Sequence, residues 1–171
     1  PILAVANMNS QDVWLIDTGK LDTINITRID GFPTQVKFSS KGDILYIGCY
    51  LYNGDSNSKI ILLSVDGHRI YREIPIRYVP FQIIEAGDGK YLLVISFESG
   101  RMEVISLASG NAVQSIEVGS MAHGIALDRE ERYAYVTNTK EDTVAVVDWR
   151  LGKKVADIPV DREPSGIVYL Y

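Results

Sequence analysis

The sequence predicts an all-β fold built from four copies of a four-stranded antiparallel unit. The same kinds of residue recur 42 or 47 positions apart, as in the series Val5, Ile47, Val94 and Val136. A fixed period of about 20 to 50 residues is typical of repeat proteins. Each copy also holds short β-branched and aromatic runs bounded by Gly, Asp, Asn and Pro, which is strand chemistry. We therefore expect four blades of a β-propeller, or a four-blade portion of a larger propeller.

The fourth copy shows the four strands of one unit. Apolar runs over 123–127, 133–138 and 143–148 are separated by polar turns, and 154–160 closes the unit before Pro164. No stretch has the spacing of apolar residues that is typical of a helix. The sequence therefore predicts strands and turns throughout the chain.

The period predicts one domain and its internal boundaries. The domain spans 1–171, with repeats at about 1–33, 34–80, 81–122 and 123–164 and a closing strand at 165–171. Pairing of the last strand (165–171) with the first strand (2–7) would complete a sheet and remove an exposed edge. Three arrangements stay open: a self-closed ring, half of a ring made by two chains, or a fragment of a longer protein.

The binding site is predicted at one end of the sheets. The spacing of 47 places a five-residue insertion within residues 50–58, and insertions in repeats map to loops, often on the binding face. Because strands alternate in direction, this loop shares one end with the fourth-to-first strand connections. We call this end the loop face. Its predicted binding residues are His123, Phe81, Tyr50, Tyr52, Arg77, Thr34 and Ser165.

Three of these candidates have a structural alternative. His123 could act as a ligand or in acid–base chemistry, or it could bond a neighbouring loop. Tyr50 and Tyr52 could hold a partner, or they could pack the long loop onto its own sheet. His68 is expected in a solvated outer turn at the opposite end.

A second recurring position is interpreted as structural. Asp or Ser ends the third strand of every copy, directly before a turn. Short polar side chains of this kind accept hydrogen bonds from the backbone of the turn. We expect this role for Asp17, Ser64, Ser106 and Asp148.

Composition limits the classes of function. The net charge is −5, which argues against a nucleic-acid partner, and no run of 18 apolar residues predicts a membrane span. Cys49 is the only cysteine, so an internal disulfide and a cysteine zinc cluster are excluded. Motifs for a nucleophile elbow, a phosphate loop or a His-Glu-x-x-His metal site are absent from the sequence. No catalytic residue, metal or cofactor is predicted.

One segment resembles a known family. Tyr135-Val136-Thr137-Asn138 is the signature tetrapeptide of the YVTN-type β-propeller repeat family, whereas the second copy has Ile47-Gly48-Cys49 at this place. The resemblance implies a propeller in which each repeat is one four-stranded blade. Because the family includes archaeal surface-layer proteins and periplasmic or secreted proteins, it also favours the cell surface or periplasm.

The resemblance leaves two classes of function. The first is a non-enzymatic repeat module that acts as a binding or assembly scaffold, with another protein or a second copy of itself as partner. The alternative is a cofactor-binding or catalytic propeller, because similar blades build haem-binding propellers, quinone-dependent oxidoreductase domains and some lactonases. We expect the scaffold.

Overall fold

The computed structural model describes residues 1–51 and 58–170. Within these residues it contains fifteen β-strands and no helix. Accordingly, no described segment is a helix of the length and apolar character needed to cross a membrane. The chain divides into two compact units, Pro1–Pro80 and Phe81–Tyr171, and this division falls at the predicted boundary between the second and third repeats.

The strands follow the predicted order. The described part of the first unit contains β1 (Ile2–Asn7), β2 (Asp12–Asp17), β3 (Asp22–Arg28), β4 (Phe32–Phe38), β5 (Ile44–Tyr50), β6 (Ser58–Ser64) and β7 (Arg69–Ile76). The second unit contains β8 (Gln82–Ala86), β9 (Tyr91–Ser96), β10 (Arg101–Ser106), β11 (Asn111–Glu117), β12 (Ala122–Leu127), β13 (Tyr133–Asn138), β14 (Thr143–Asp148) and β15 (Lys153–Pro159).

Each repeat forms one antiparallel sheet of consecutive strands. The sheets β4–β7, β8–β11 and β12–β15 have four strands, and the sheet β1–β3 has three. The four predicted repeats are thus confirmed as four antiparallel sheets. The last two strands of every sheet shift register at the same repeat position, which is typical of a β-bulge that increases strand twist. These shifts follow Leu15, Leu62, Val104 and Val146.

The closing strand differs from the expectation. Residues 165–170 do not form a strand, Tyr171 lies outside the described residues, and the first sheet, which contains 2–7, has three strands. The segment is held by side chains instead: the hydroxyls of Thr137 and Thr139 donate to the carbonyls of Ser165 and Pro164, both at 2.9 Å. A strand ladder needs backbone partners, and these contacts use the side chains of β13 and of the turn after it.

The core of each unit lies between its two sheets. Alternation along β2 buries Val13 and Leu15 completely, and they pack with Leu45 and Ile47 of β5. In the second unit, β9 and β13 supply apolar residues to the corresponding cluster. Burying a side chain of this size contributes about 1.5–3 kcal/mol, so these two clusters supply most of the hydrophobic stabilisation.

The predicted turn caps are confirmed. Asp17 Oδ1 accepts hydrogen bonds from the backbone of Gly19 and Lys20 at 2.8 and 3.0 Å. Asp148 Oδ1 accepts from Leu151 N at 3.0 Å. The serine hydroxyls at the equivalent positions also accept from the turn, at 3.0 Å for Ser64 and 3.4 Å for Ser106.

Candidate functional site

The loop face of the second unit is held together by backbone bonds between neighbouring loops. Val118 N donates to Gly100 O at 3.0 Å, and Thr139 N donates to Met121 O at 3.2 Å. Val160 N bonds to the carbonyl of Asp142 at 2.9 Å, so the last connection is tied to the turn after β13. The predicted grouping of second-to-third loops with fourth-to-first connections is therefore confirmed in this unit.

Three aromatic rings form a cluster at this face. The ring of His123 meets Phe81 nearly edge-on, with centroids 4.7 Å apart and an interplanar angle of 60°. Phe97 lies 5.9 Å from His123 and 5.3 Å from Phe81. All three side chains are half-buried. We call Phe81, Phe97 and His123 the aromatic cluster.

The imidazole of His123 is incompletely bonded. Its Nδ1 atom is shielded from solvent and has no hydrogen-bond partner among the described residues. The alternative in which His123 bonds a neighbouring loop therefore has no support at Nδ1. A buried polar atom without a partner costs stability, so each one in a native protein calls for an explanation, of which a bound ligand is one.

Phe97 was missed by the sequence reasoning. It lies 47 positions after Tyr50, which was predicted as a binding residue, so the two occupy the same place in consecutive repeats. The period itself could have identified Phe97. The predicted candidates lie instead at first strands, at the connections that precede them and at the insertion.

Thr137 positions the strand that carries His123. Its hydroxyl accepts a hydrogen bond from Gly124 N at 2.8 Å and donates to Ser165 O at 2.9 Å. Gly124 is required here, because a Cβ atom at this position would lie 2.5 Å from the carbonyl oxygen of Ser165. Gln82 Oε1 accepts from Ile125 N at 3.3 Å and ties β8 to β12. Ser165, a predicted binding residue, thus acts through its backbone.

A cleft of about 540 Å³ opens at the same loop face, and its lining includes Met121, which precedes His123 by two residues. Its charged lining residues carry both signs, and they are Lys140, Arg162, Asp142 and Glu163. Met121 and Thr139 complete the lining. One carboxylate oxygen of Asp142 is already occupied, since its Oδ1 accepts a hydrogen bond from Glu163 N at 2.9 Å. The cleft suits a ligand surface that itself carries charges of both signs.

A second cleft, of about 200 Å³, lies between the equivalent loops of the third sheet. Its carboxylates belong to Glu98, Glu117 and Glu141, and Ser120 N donates to Glu141 at 2.7 Å. Glu98 and Lys140 are 42 positions apart, so one repeat position carries opposite charges in the two clefts. No group of three metal-ligating side chains occurs among the residues that the structure describes.

The predicted residues of the first unit mostly make contacts within it. Tyr50 stacks on Phe32 at 5.2 Å, as in the packing alternative. The Thr34 hydroxyl lies within bonding distance of the carbonyls of Gly48 and Pro80, at 3.3 and 3.1 Å. The guanidinium of Arg77 lies 5.3 Å from the ring of Tyr78. Tyr52 and most of the insertion lie outside the described residues.

Cys49 is structural. Its side chain is fully buried, and burial raises the pKa of the thiol from 9.0 to about 11. Because the thiolate is the nucleophile, a thiol with a raised pKa is unreactive at neutral pH. The Sγ atom lies 3.8 Å from the carbonyl oxygen of Asp30.

Comparisons with protein families and with curated proteins found no relative of this chain. No family model matches the chain. No curated protein matches it either.

Three solved structures resemble the chain. A functionally unknown protein from Desulfotomaculum acetoxidans matches with a TM-score of 0.81 and 14% identity, over 95% of this chain and 54% of that one. Dihydro-heme d1 dehydrogenase NirN, in complex with DHE, matches with a TM-score of 0.73 and 12% identity, over 92% and 35%. Hydrazine synthase from Kuenenia stuttgartiensis matches with a TM-score of 0.65 and 17% identity, over 98% and 74%.

These likenesses establish a β-propeller-like fold. Because the sequence identities are only 12 to 17%, these similarities are evidence for the fold and for nothing else. The chain spans about half the length of the first of these structures and about a third of the second.

Proposed function

We propose that this chain is a non-enzymatic binding module whose loop face, through the aromatic cluster and the charged cleft, holds a partner protein. The observation that carries the proposal is the half-buried aromatic cluster with an unpartnered His123 Nδ1. Aromatic residues, Phe among them, are enriched in the buried cores of protein interfaces. The cluster supplies apolar area and one polar atom, and the cleft on the same face supplies charges of both signs.

The mixed charge of the cleft favours a protein over nucleic acid. Lys140 and Arg162 stand beside Asp142 and Glu163, so the surface presents no extended positive field for a phosphate backbone. The net charge of −5 acts in the same direction. A folded protein surface offers the apolar centre and the charged rim that this site complements.

Family and location form part of the proposal. The tetrapeptide Tyr135–Asn138 supports membership of the YVTN-type repeat family, and two of its side chains, Thr137 and Asn138, brace neighbouring loops. The family's known members support a location at the cell surface or in the periplasm. Fractionation of cells that express the native gene, with immunodetection of the protein in each fraction, tests this location.

The binding proposal is tested by substitutions in the cluster. A partner is first isolated on immobilised protein and identified by mass spectrometry, and its dissociation constant is then measured by calorimetry. We expect Phe81→Ala and His123→Ala each to weaken binding at least about tenfold. His68→Ala is the matched control, because His68 is exposed in an outer turn. Equal affinities for all variants would remove this face from consideration.

A second candidate is a cofactor-binding domain, and one observation favours it. The unpartnered Nδ1 of His123 is a nitrogen donor beside two apolar rings, a set that fits the iron and the flat macrocycle of haem. NirN, which shares the fold, is a structure in complex with DHE. Titration with haem tests this candidate by the visible spectrum. An absorption band that His123→Ala abolishes and His68→Ala retains would favour it over the scaffold.

A further inference from the structure

We propose that a β-bulge in the last strand of each sheet keeps the edge of that sheet from pairing with a strand of another chain. The strands concerned are β3, β7, β11 and β15, and we call them the last strands. In β11 the side chain of Arg101 adds to this protection. The inference concerns the edges of the sheets and does not rest on the proposed function.

Each last strand lies at an edge of its sheet. It pairs with the strand before it, and the structure shows no ladder on its other side within residues 1–51 and 58–170. The outward N–H and C=O groups of such an edge are a template for strand addition and aggregation. A chain with edges of this kind therefore needs features that oppose the addition of a strand.

Each last strand holds one extra residue at the same repeat position. This residue has no partner in the ladder, although the residues on both sides of it do. The extra residues are 47, 42 and 42 positions apart, and they are Ile24, Tyr71, Val113 and Val155. Because a bulge bends its strand and increases the local twist, it removes the flat edge that an added strand needs.

Core packing does not account for the extra residues. Their side chains are exposed, by 36% for Ile24, 49% for Tyr71, 51% for Val113 and 45% for Val155. Exposed β-branched and aromatic residues of this kind favour strand addition when they lie on a regular edge. The bulge thus occurs at the place where an exposed apolar side chain would otherwise promote association.

Among the last strands, β11 has the weakest protection from charge. Glu117 is its only charged residue, whereas β3 carries two charged residues and β7 and β15 carry three each. Charged side chains on an edge oppose the addition of a further strand. We therefore expect the bulge to matter most in β11.

Arg101 of β10 covers a backbone acceptor on β11. Its Nη2 atom donates to the carbonyl of Ser115 at 2.7 Å, and its Nε atom donates to the Ser115 hydroxyl at 2.8 Å. Val118 N bonds to Gly100 O across the two strands, and pairs that face each other alternate along an antiparallel ladder. Ser115 lies three residues from Val118, so its backbone groups face the open edge. A strand that added to β11 would have to displace the guanidinium from this carbonyl.

Deletion of Val113 tests the proposal. It makes the ladder regular without moving any other pair, since the two pairs that flank the bulge then follow one another directly. Light scattering at a series of concentrations measures the dissociation constant for self-association. We expect the deletion to lower this constant at least about tenfold relative to the wild type. Arg101→Gln, which removes the guanidinium, should lower it further in the deleted chain. Amide hydrogen exchange locates the contact, because the outward N–H of Ser115 should exchange more slowly in the associated form.

Two further variants serve as controls. Val113→Thr keeps the extra residue and should associate like the wild type. Deletion of Val155 should have a smaller effect than deletion of Val113, because the charged residues of β15 remain. Circular dichroism and thermal unfolding establish whether each variant is folded.

Four outcomes would overturn the proposal. The first is a folded Val113 deletion that associates no more than the wild type, and the second is association that leaves the N–H of Ser115 unprotected. The third is a Val113→Thr variant that associates as strongly as the deletion. The fourth is that neither deletion folds, because the sheet itself then requires the bulge. Equal association of the deleted chain with and without Arg101→Gln would overturn the role of Arg101 alone.

Discussion

The side-chain amide of Asn138 fills the space beside Gly119. A Cβ atom at position 119 would lie 2.3 Å from Asn138 Nδ2, and Gly119 has a φ of 142°. The same Nδ2 donates to Val118 O at 2.9 Å. The end of β13 is thereby locked to the connection that leads from the third sheet into the fourth.

The first unit repeats this arrangement with a different side chain. Cys49 holds the repeat position of Asn138, and its Sγ atom bonds weakly to Asp30 O at 3.8 Å. A Cβ atom on Gly31 would lie 2.6 Å from that sulfur. The signature asparagine therefore has a structural role that a buried thiol can partly replace.

Asn138→Ala is predicted to destabilise the fold by about 1–3 kcal/mol, because it leaves the buried carbonyl of Val118 without its partner. Urea unfolding followed by circular dichroism measures the change. Asn111→Ala is the control, since Asn111 is exposed at the start of β11 and should change stability by less than about 0.5 kcal/mol. Equal midpoints for the two variants would show that the amide bond contributes nothing.

Cys49 is predicted to make stability depend on alkaline pH. Burial raises the pKa of its thiol from 9.0 to about 11, so the folded state retains the proton that the unfolded state releases first. The contribution is complete below pH 9 and is lost as the pH rises towards about 11. The free energy of unfolding, measured by urea titration at a series of pH values, should fall over this range.

Cys49→Ala isolates the effect of the thiol. Tyr71 and Tyr135 have pKa values that burial also raises, and they titrate in both proteins, so the difference between the two pH curves belongs to Cys49. We expect the variant to be less stable at neutral pH and to have a shallower alkaline slope. Parallel curves would contradict the assignment.

Most of the fold follows from local chemistry, and for that reason the sequence predicted it. Strand composition and turn glycines reflect short-range preferences, and these preferences recur with the period of 42 or 47. Val94 and Val136, which mark this period, accordingly occupy the same position in the ladders of the third and fourth sheets. The pairing of 165–171 is different. It depends on which backbone edge meets the segment, and a repeat pattern specifies the register without specifying the partner.

The candidate site was only partly predictable for a related reason. His123 and Phe81 were identified as first-strand residues, and in the structure the centroids of their rings lie 4.7 Å apart. Tyr50 was selected because it borders the insertion, but it packs on Phe32. Whether an aromatic ring faces a neighbouring sheet or its own depends on side-chain direction at the strand end, which residue type does not determine.

The turn cap at Asp17 should be worth about 0.5–1.5 kcal/mol, the range for a single net hydrogen bond. Its carboxylate accepts two backbone bonds, so Asp17→Ala leaves Gly19 and Lys20 without these partners. Thermal unfolding measures the loss. Asp66→Ala is the matched control, because Asp66 is an exposed acidic turn residue after β6. A loss as large at Asp66 would indicate a general charge effect rather than capping.

Thr137 should control the order of the segment that follows β15. Thr137→Val keeps the volume but removes the hydroxyl that bonds both Gly124 N and Ser165 O, and Thr137 is only 2% exposed, so water cannot readily replace it. We expect a destabilisation of about 1–3 kcal/mol and faster amide hydrogen exchange in residues 164–167. Thr137→Ser retains the hydroxyl and should keep the slow exchange. If the valine and serine variants exchange at the same rate, the hydroxyl does not anchor the segment.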